Sequence, residues 1–186
     1  MKTHSITTPR LILRQWRDED LEPFWAMGQD AEVMEFLLPY ADRADSDANA
    51  VRLRNHIDAH GFGFWALEAS GVAPFIGFAG ILNVNDANPF YPAVEIGWRL
   101  ARPHWGKGYA SEAAEAALTF GFETLKLDEI IAFTVLANIR SQAVMHRIGM
   151  TRNPADDFDH PRVPDGSPLK RHVLYRIAAD ARHLDD

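Results

Sequence analysis

The sequence contains no cysteine, which excludes disulfides, thiolate metal sites and a cysteine nucleophile at once. It has no apolar run near the roughly 20 residues that a membrane-spanning helix needs. Near the N-terminus only Leu11, Ile12 and Leu13 are continuously apolar, too few for the h-region of a secretory signal, so a cytoplasmic protein is expected. Positive charge is also short. With 19 Lys+Arg against 26 Asp+Glu the net charge is −7, which repels a nucleic-acid backbone and favours a cationic or amine partner. Repeats, low-complexity tracts and Gly/Ser linkers are missing, and 186 residues suit one compact domain, expected to span 1–186.

What is present has the balance of a globular core, 47% hydrophobic and 24% charged. Residues 10–16 (RLILRQW) read as a first strand, and Asp18 is placed to cap a helix running to Met27. A second helix is expected from Ser46 or Asp47 to a stop at Gly61. Strands over 62–68 and 75–82 flank a turn at 70–74, and a Pro- and Asn-rich loop over 83–92 precedes a strand from Val94 to Leu100. A glycine-containing turn at 105–109 leads into a helix over 110–125 with apolar residues at i, i+3, i+4 and i+7. A strand over 129–136, a short helix over 141–148 stopped by Gly149, a polar stretch over 151–170 and a strand over 171–178 complete the chain. The alternation predicts an α+β domain built on one mixed, mostly antiparallel sheet flanked by helices.

The segment Trp105-Gly106-Lys107-Gly108-Tyr109-Ala110-Ser111 lies where a strand gives way to a helix. A helix N-terminus offers unpaired N–H groups and a positive dipole end, and glycines let backbone approach a pyrophosphate. The P-loop and dinucleotide patterns both fail here, since Ser111 stands where GxGxxG needs its third glycine. A tight strand-to-helix turn without a ligand is the alternative. Glu95 is a lone carboxylate in the apolar strand VEIGWRL; buried, it gains the raised pKa of a general base, and on a one-sided sheet it faces solvent. Asn138 reads as a helix N-cap, with Ser141 close behind it. His56 and His60, one helical turn apart, read as a solvated helix face because no third metal ligand accompanies them. The run Asp156-Asp157-Phe158-Asp159-His160 reads as a polar loop at the border of an acceptor cleft, and no metal site is expected.

In order and spacing, EIGWRL (95–100), WGKGYASEA (105–113) and NIRSQAVMHRIGM (138–150) resemble the GNAT acetyltransferase superfamily, as do TPRLILR (8–14), IGFAGI (76–81) and HVLYRI (172–177). Within it they look like the RimJ/RimL-like branch of N-acetyltransferases. The resemblance implies acetyl-CoA as acetyl donor and a primary amine as acceptor. It places the pyrophosphate on amides from Gly106 through Lys107, Gly108, Tyr109 and Ala110 to Ser111, and the pantetheine arm on backbone groups of Trp98 and Leu100. Asn138 would contact that arm, and Glu95 keeps the family's acceptor-side carboxylate. Where many members carry a tyrosine that protonates the departing thiolate, this chain has Met145, which leaves Ser141 as the nearest hydroxyl. The expected acceptor is a protein N-terminal α-amine drawn in by Asp156, Asp157, Asp159 and Asp165; the alternatives are a small amine, or acyl-CoA binding with weak catalysis. A monomer or a homodimer is expected.

Overall fold

The computed structural model describes residues 4–184, so the extreme ends of the expected 1–186 domain lie outside the described residues. In chain order the elements are β1 (Ile6–Thr7), β2 (Leu11–Arg14), α1 (Leu21–Gly28), α2 (Ala31–Met34), α3 (Arg43–His60), β3 (Phe64–Ala69), β4 (Ala73–Asn83) and β5 (Val94–Leu100). Then come α4 (Tyr109–Thr119), β6 (Glu129–Val135), α5 (Ile139–Arg147), β7 (Thr151–Arg152), β8 (Phe158–Asp159) and β9 (Arg171–Ala178). One sheet orders the strands β1-β2-β3-β4-β5-β6-β9-β7, with β8 also on β9. Every described pairing is antiparallel except β5 with β6, as expected of a mixed, mostly antiparallel α+β sheet.

Helix α4 packs on one face because alanine is both the best helix former and small enough for close approach. Ala113, Ala114, Ala117 and Leu118 are fully buried against β4 and β5. On the opposite face α1 and α3 cover β3 and β4, with Phe24, Trp16 and Phe78 in ring contact. No described helix is long and apolar enough to cross a membrane.

Several boundaries differ from the sequence expectation. Asp18 does not cap α1; it lies in a short 3₁₀ turn over Asp18–Asp20 and its carboxylate pairs with Arg54. Helix α3 begins at Arg43, where Asp42 accepts from the Asp45 amide, and Ser46 is a buried interior residue. After Thr119 the chain widens into a π turn over Phe120–Thr124 that seats Gly121 on Ile130, leaving no room for a Cβ. The polar stretch 151–170 contains β7 and β8, both recruited by β9.

Candidate active site

The sheet opens at its centre. Strand β5 pairs with β4 from Gly77↔Leu100 to Asn83↔Val94, yet its bridge to β6 is the single pair Glu95↔Ile131. Ala101 donates its amide to Ile76 O at 2.9 Å, so by strand alternation the amides of Trp98 and Leu100 point away from β4, into the opening. The Leu100 carbonyl faces the same way and accepts from Trp105 Nε1 at 2.7 Å, which gives the Trp105 side chain a structural task.

Beyond β5, Gly106 (φ 71°) and Gly108 (φ 82°) take left-handed conformations that let the chain turn sharply into α4. The first intrahelical bond of α4 runs from Glu112 N to Gly108 O, so the amides of Tyr109, Ala110 and Ser111 precede it. Arg10 straps the turn to β2: Nη1 reaches Lys107 O at 2.8 Å and Nε reaches Glu112 Oε2 at 2.6 Å, with the guanidinium over the Tyr109 ring. Burial pushes the Glu112 carboxyl up, but hydrogen bonds from the Thr8 hydroxyl and from the Arg10 side chain and backbone amide, with the Arg10 charge, hold it below its ordinary pKa.

A cleft of about 590 Å³ joins the opened strands to this helix end. Trp98, Leu100, Gly106, Gly108, Tyr109, Ala110, Ser111 and Asn138 line it, as does Ser141. Lys107 does not; its carbonyl serves Arg10 instead. Asn138 Oδ1 accepts from Ser141 N at 3.1 Å and its Nδ2 donates to Thr134 Oγ1 at 3.0 Å, so it caps α5 and also borders the cleft. The Ser141 hydroxyl has no hydrogen-bond partner among the described residues, whereas Met145 is buried in the core. Sequence reading missed Arg147, whose Nη1 donates to Ser111 Oγ at 2.8 Å, and the wall formed by Val33, Phe36 and Leu37. The Arg147 signal was its spacing from Arg140 and Val144 on one face of α5, opposite a helix N-terminus. Free amides, a positive helix end and an adjacent arginine suit an anion with a long polar arm, so the residues fit an acyl-CoA.

Glu95 lies at the apex of the opening, half-buried and without a hydrogen bond among the described residues. Burial pushes its carboxyl up to about 7, against the opposing pull of Arg52 and Arg162. It does not line the cleft that holds the other expected residues. The side chains of Glu95 and Trp98 alternate to opposite faces of β5, roughly 10 Å apart along the strand.

The acidic loop is a correction. Asp156 pairs with Arg176, Asp157 with Arg152, Asp159 with Arg171 and Asp165 with Lys170, so none is an unpaired negative charge. Phe158 is buried in a second cluster with Ile131 and Leu174. His56 is not a solvated side chain either: Nδ1 bonds Phe62 O at 2.9 Å, and burial lowers its pKa. No group of three metal-ligating side chains occurs among the described residues.

A family model described as an acetyltransferase (GNAT) domain matches residues 10–151. The chain is 32% identical to the Bacillus subtilis protein named "Uncharacterized N-acetyltransferase YnaD", over 92% of this chain and 95% of that one. It is 29% identical to an Aspergillus fumigatus protein named "FsC-acetyl coenzyme A-N(2)-transacetylase", over 79% of this chain and 65% of that one. A GNAT-family acetyltransferase structure from Bacillus anthracis superposes with a TM-score of 0.78 at 26% identity, covering 95% of this chain and 99% of that one. With the family model spanning most of the chain and a relative matched over nearly its whole length, this chain belongs to the GNAT family as an acetyl-CoA-dependent N-acetyltransferase.

Proposed function

We propose that this chain acetylates an α-amine, with Glu95 taking the amine's proton through water. The observation that carries the reading is a carboxylate with a pKa of about 7 at the apex of the opened sheet. A neutral amine must attack, and an α-amine with pKa near 8 is roughly 10% neutral at pH 7, against about 0.04% for a lysine-type amine near 10.4. A base poised near neutrality therefore suffices for the first and not for the second. A relay is required because Glu95 is roughly 10 Å along β5 from Trp98 and its side chain turns to one face of the sheet, whereas the Trp98 amide points in the sheet plane into the opening.

Acetyl-CoA supplies an acetyl group on sulfur, which the amine nitrogen takes as the carbon–sulfur bond breaks. The chain's own contribution is placement and charge. The amides of Tyr109, Ala110 and Ser111, with Arg147 beside Ser111, are the groups to hold the pyrophosphate. The Trp98 amide is the donor available to the acetyl oxygen, and Leu100 and Asn138 border the arm. The unengaged Ser141 hydroxyl is the group available to protonate the departing thiolate. Because a thiol near 8.5 leaves readily, Ser141→Ala should lower kcat by only about tenfold without a matching change in KM for acetyl-CoA. An effect confined to KM assigns Ser141 to binding alone.

Gly108→Val tests the turn. Its Cβ would point at Arg10 Nη2, 3.2 Å away, in a left-handed conformation that valine resists, so it should dismantle the turn by strain and lower acetyl-CoA affinity more than tenfold. Gly106→Ala, with nothing within 4 Å of the new Cβ, should cost less. Calorimetry orders the two; equal affinities in both variants and the parent reject the turn as the pyrophosphate site.

With Asp156, Asp157, Asp159 and Asp165 all ion-paired, charge no longer favours a basic peptide over other α-amines. Turnover of peptide N-termini, free amino acids and lysine-type amines, after a thermal-shift test with acetyl-CoA, decides the reading. A preference for lysine-type amines at pH 7 rejects it, and acetyl-CoA binding without turnover of any amine leaves a binding protein.

A further inference from the structure

Two ion pairs tie helix α2 across the cofactor cleft. Glu32 Oε2 accepts from Arg102 Nε at 3.0 Å, in the 3₁₀ turn after β5, and Glu35 Oε2 accepts from Arg140 Nη2 at 2.6 Å, in the first turn of α5. Glu32 lies in α2 and Glu35 directly follows it, so one short segment is clasped to both rims of the opening, the β5 side and the β6–α5 side. The two arginines converge on one ring. Arg102 lies 5.1 Å and Arg140 4.8 Å from the centre of Trp105, whose Nε1 is bonded to the Leu100 carbonyl inside the opening. Arg140 also lies 5.7 Å from the Phe36 ring, and Phe36 lines the cleft with Val33 and Leu37.

The segment is fastened at its ends and loose between them. At one end the Asp30 carboxylate accepts from the amides of Glu32 and Val33. At the other, Tyr40 Oη accepts from Asn49 Nδ2 at 2.9 Å and from Arg99 Nη1 at 3.0 Å, and its ring packs on Phe24. Between Asp30 and Tyr40 only Val33 is buried. A four-residue helix has no stability of its own, and an element with one buried side chain opens at far lower cost than the sheet beneath it. The clasps match that looseness: all four charged side chains are roughly half exposed, and exposed ion pairs hold only weakly.

We propose that residues 31–39 are a lid on the cofactor cleft, shut by the Glu32–Arg102 and Glu35–Arg140 clasps and swinging between its fixed ends at Asp30 and Tyr40 to admit and release acetyl-CoA. The proposal rests on the assignment of this cleft to the acyl-CoA and adds how the cofactor passes in and out of it.

With the clasps made, Val33, Phe36 and Leu37 complete the wall of the cleft onto which Trp98 and Leu100 open, and closure of such a wall keeps water from the reacting carbonyl. Opening breaks both clasps and exposes Val33, and closing restores them whether or not cofactor lies beneath. A lid whose contacts are the same in the free and the loaded protein has no preference between them, so it sets the rates of entry and release and leaves their ratio, the affinity, nearly untouched. Both arginines also rest on Trp105, so the lid and the indole bonded to Leu100 are mechanically joined.

The test measures acetyl-CoA entry and release by stopped-flow on the full chain. In E32Q/E35Q both clasps are undone, and release should be about fivefold faster or more, with the calorimetric affinity within about threefold of the parent. Charge alone predicts the opposite, since removing two negative charges beside an anionic cofactor slows its release. Release unchanged or slower in this variant overturns the lid. The absence of native cysteine allows a second, reversed experiment: in E32C/R102C a short bismaleimide can join only the introduced pair. The linked form should take up and release acetyl-CoA at least tenfold more slowly than the same variant capped with N-ethylmaleimide, which has lost the clasp and can still open. Equal rates in the linked and capped forms overturn the lid and leave the cofactor site standing. A parent chain with no calorimetric affinity for acetyl-CoA overturns the cofactor site, and the lid with it.

Discussion

Glu95→Gln should lower kcat/KM for the amine by 100-fold or more and erase an inflection near pH 7 from its pH profile. The amide keeps the shape and hydrogen-bonding reach of the carboxylate but cannot take a proton. In the parent chain activity rises with pH through about 7 as Glu95 ionises, and again as the amine loses its proton. The variant should show only the second rise. Parallel profiles for variant and parent remove Glu95 from the mechanism. Stability should change in the opposite direction. Burial raises this carboxyl from 4.5 to about 7, so the folded state binds its proton more tightly than the unfolded chain does. The protein therefore loses stability as pH rises from about 4.5 to 7 and stays lower above that. Glutamine carries no such penalty, so the variant should gain up to ~3 kcal/mol over the parent at pH 8 and nothing at pH 4.

The largest loss of stability is expected from Asp20→Ala. Arg14 and Asp20 are nearly buried, and the guanidinium grips both carboxylate oxygens, at 2.8 and 2.9 Å. Asp20 also accepts from the Arg17 amide at 2.8 Å, which shapes the turn into α1. Removing the carboxylate leaves a buried cation with Glu68 as its remaining carboxylate partner, at a cost of about 3–5 kcal/mol by urea denaturation. Replacing both residues by apolar ones of similar volume should recover much of that loss, because the unpaired charge disappears with its partner. A single-variant loss under about 1 kcal/mol contradicts this account. The consequence reaches the site, because the turn orients α1 and α1 packs on α3, which carries Arg52.

Strands and helices with strong local period were legible in the sequence: β5 and β9 stand within a residue or two of where alternation puts them, and α4 starts where helical spacing puts it but gives way after Thr119 to the π turn over Phe120–Thr124. The strands inside 151–170 were not, because two-residue pairings have no period of their own and exist only where β9 offers free edges. The four-residue helix α2 was missed for the same reason, although Asp30 caps it in the ordinary way and it brings Val33 to the cleft wall.

The sequence by itself determined the α+β sheet and the glycine-containing turn over 106–111 and marked Glu95 as a lone carboxylate and Asn138 as a helix cap, because each depends on residue type and near-neighbour spacing; Ser141 was marked through the family resemblance. What only the tertiary structure decided was charge. Asp156, Asp157, Asp159 and Asp165 were read as an open acidic patch, and each met a cation from elsewhere in the chain. Arg52 and Arg162 were unremarked in the sequence and act electrostatically on Glu95, brought within range of it by a helix and a loop far apart in the chain. Whether a charge is neutralised or available depends on what lies within a few ångströms of it, and across such separations only the packed chain sets that distance.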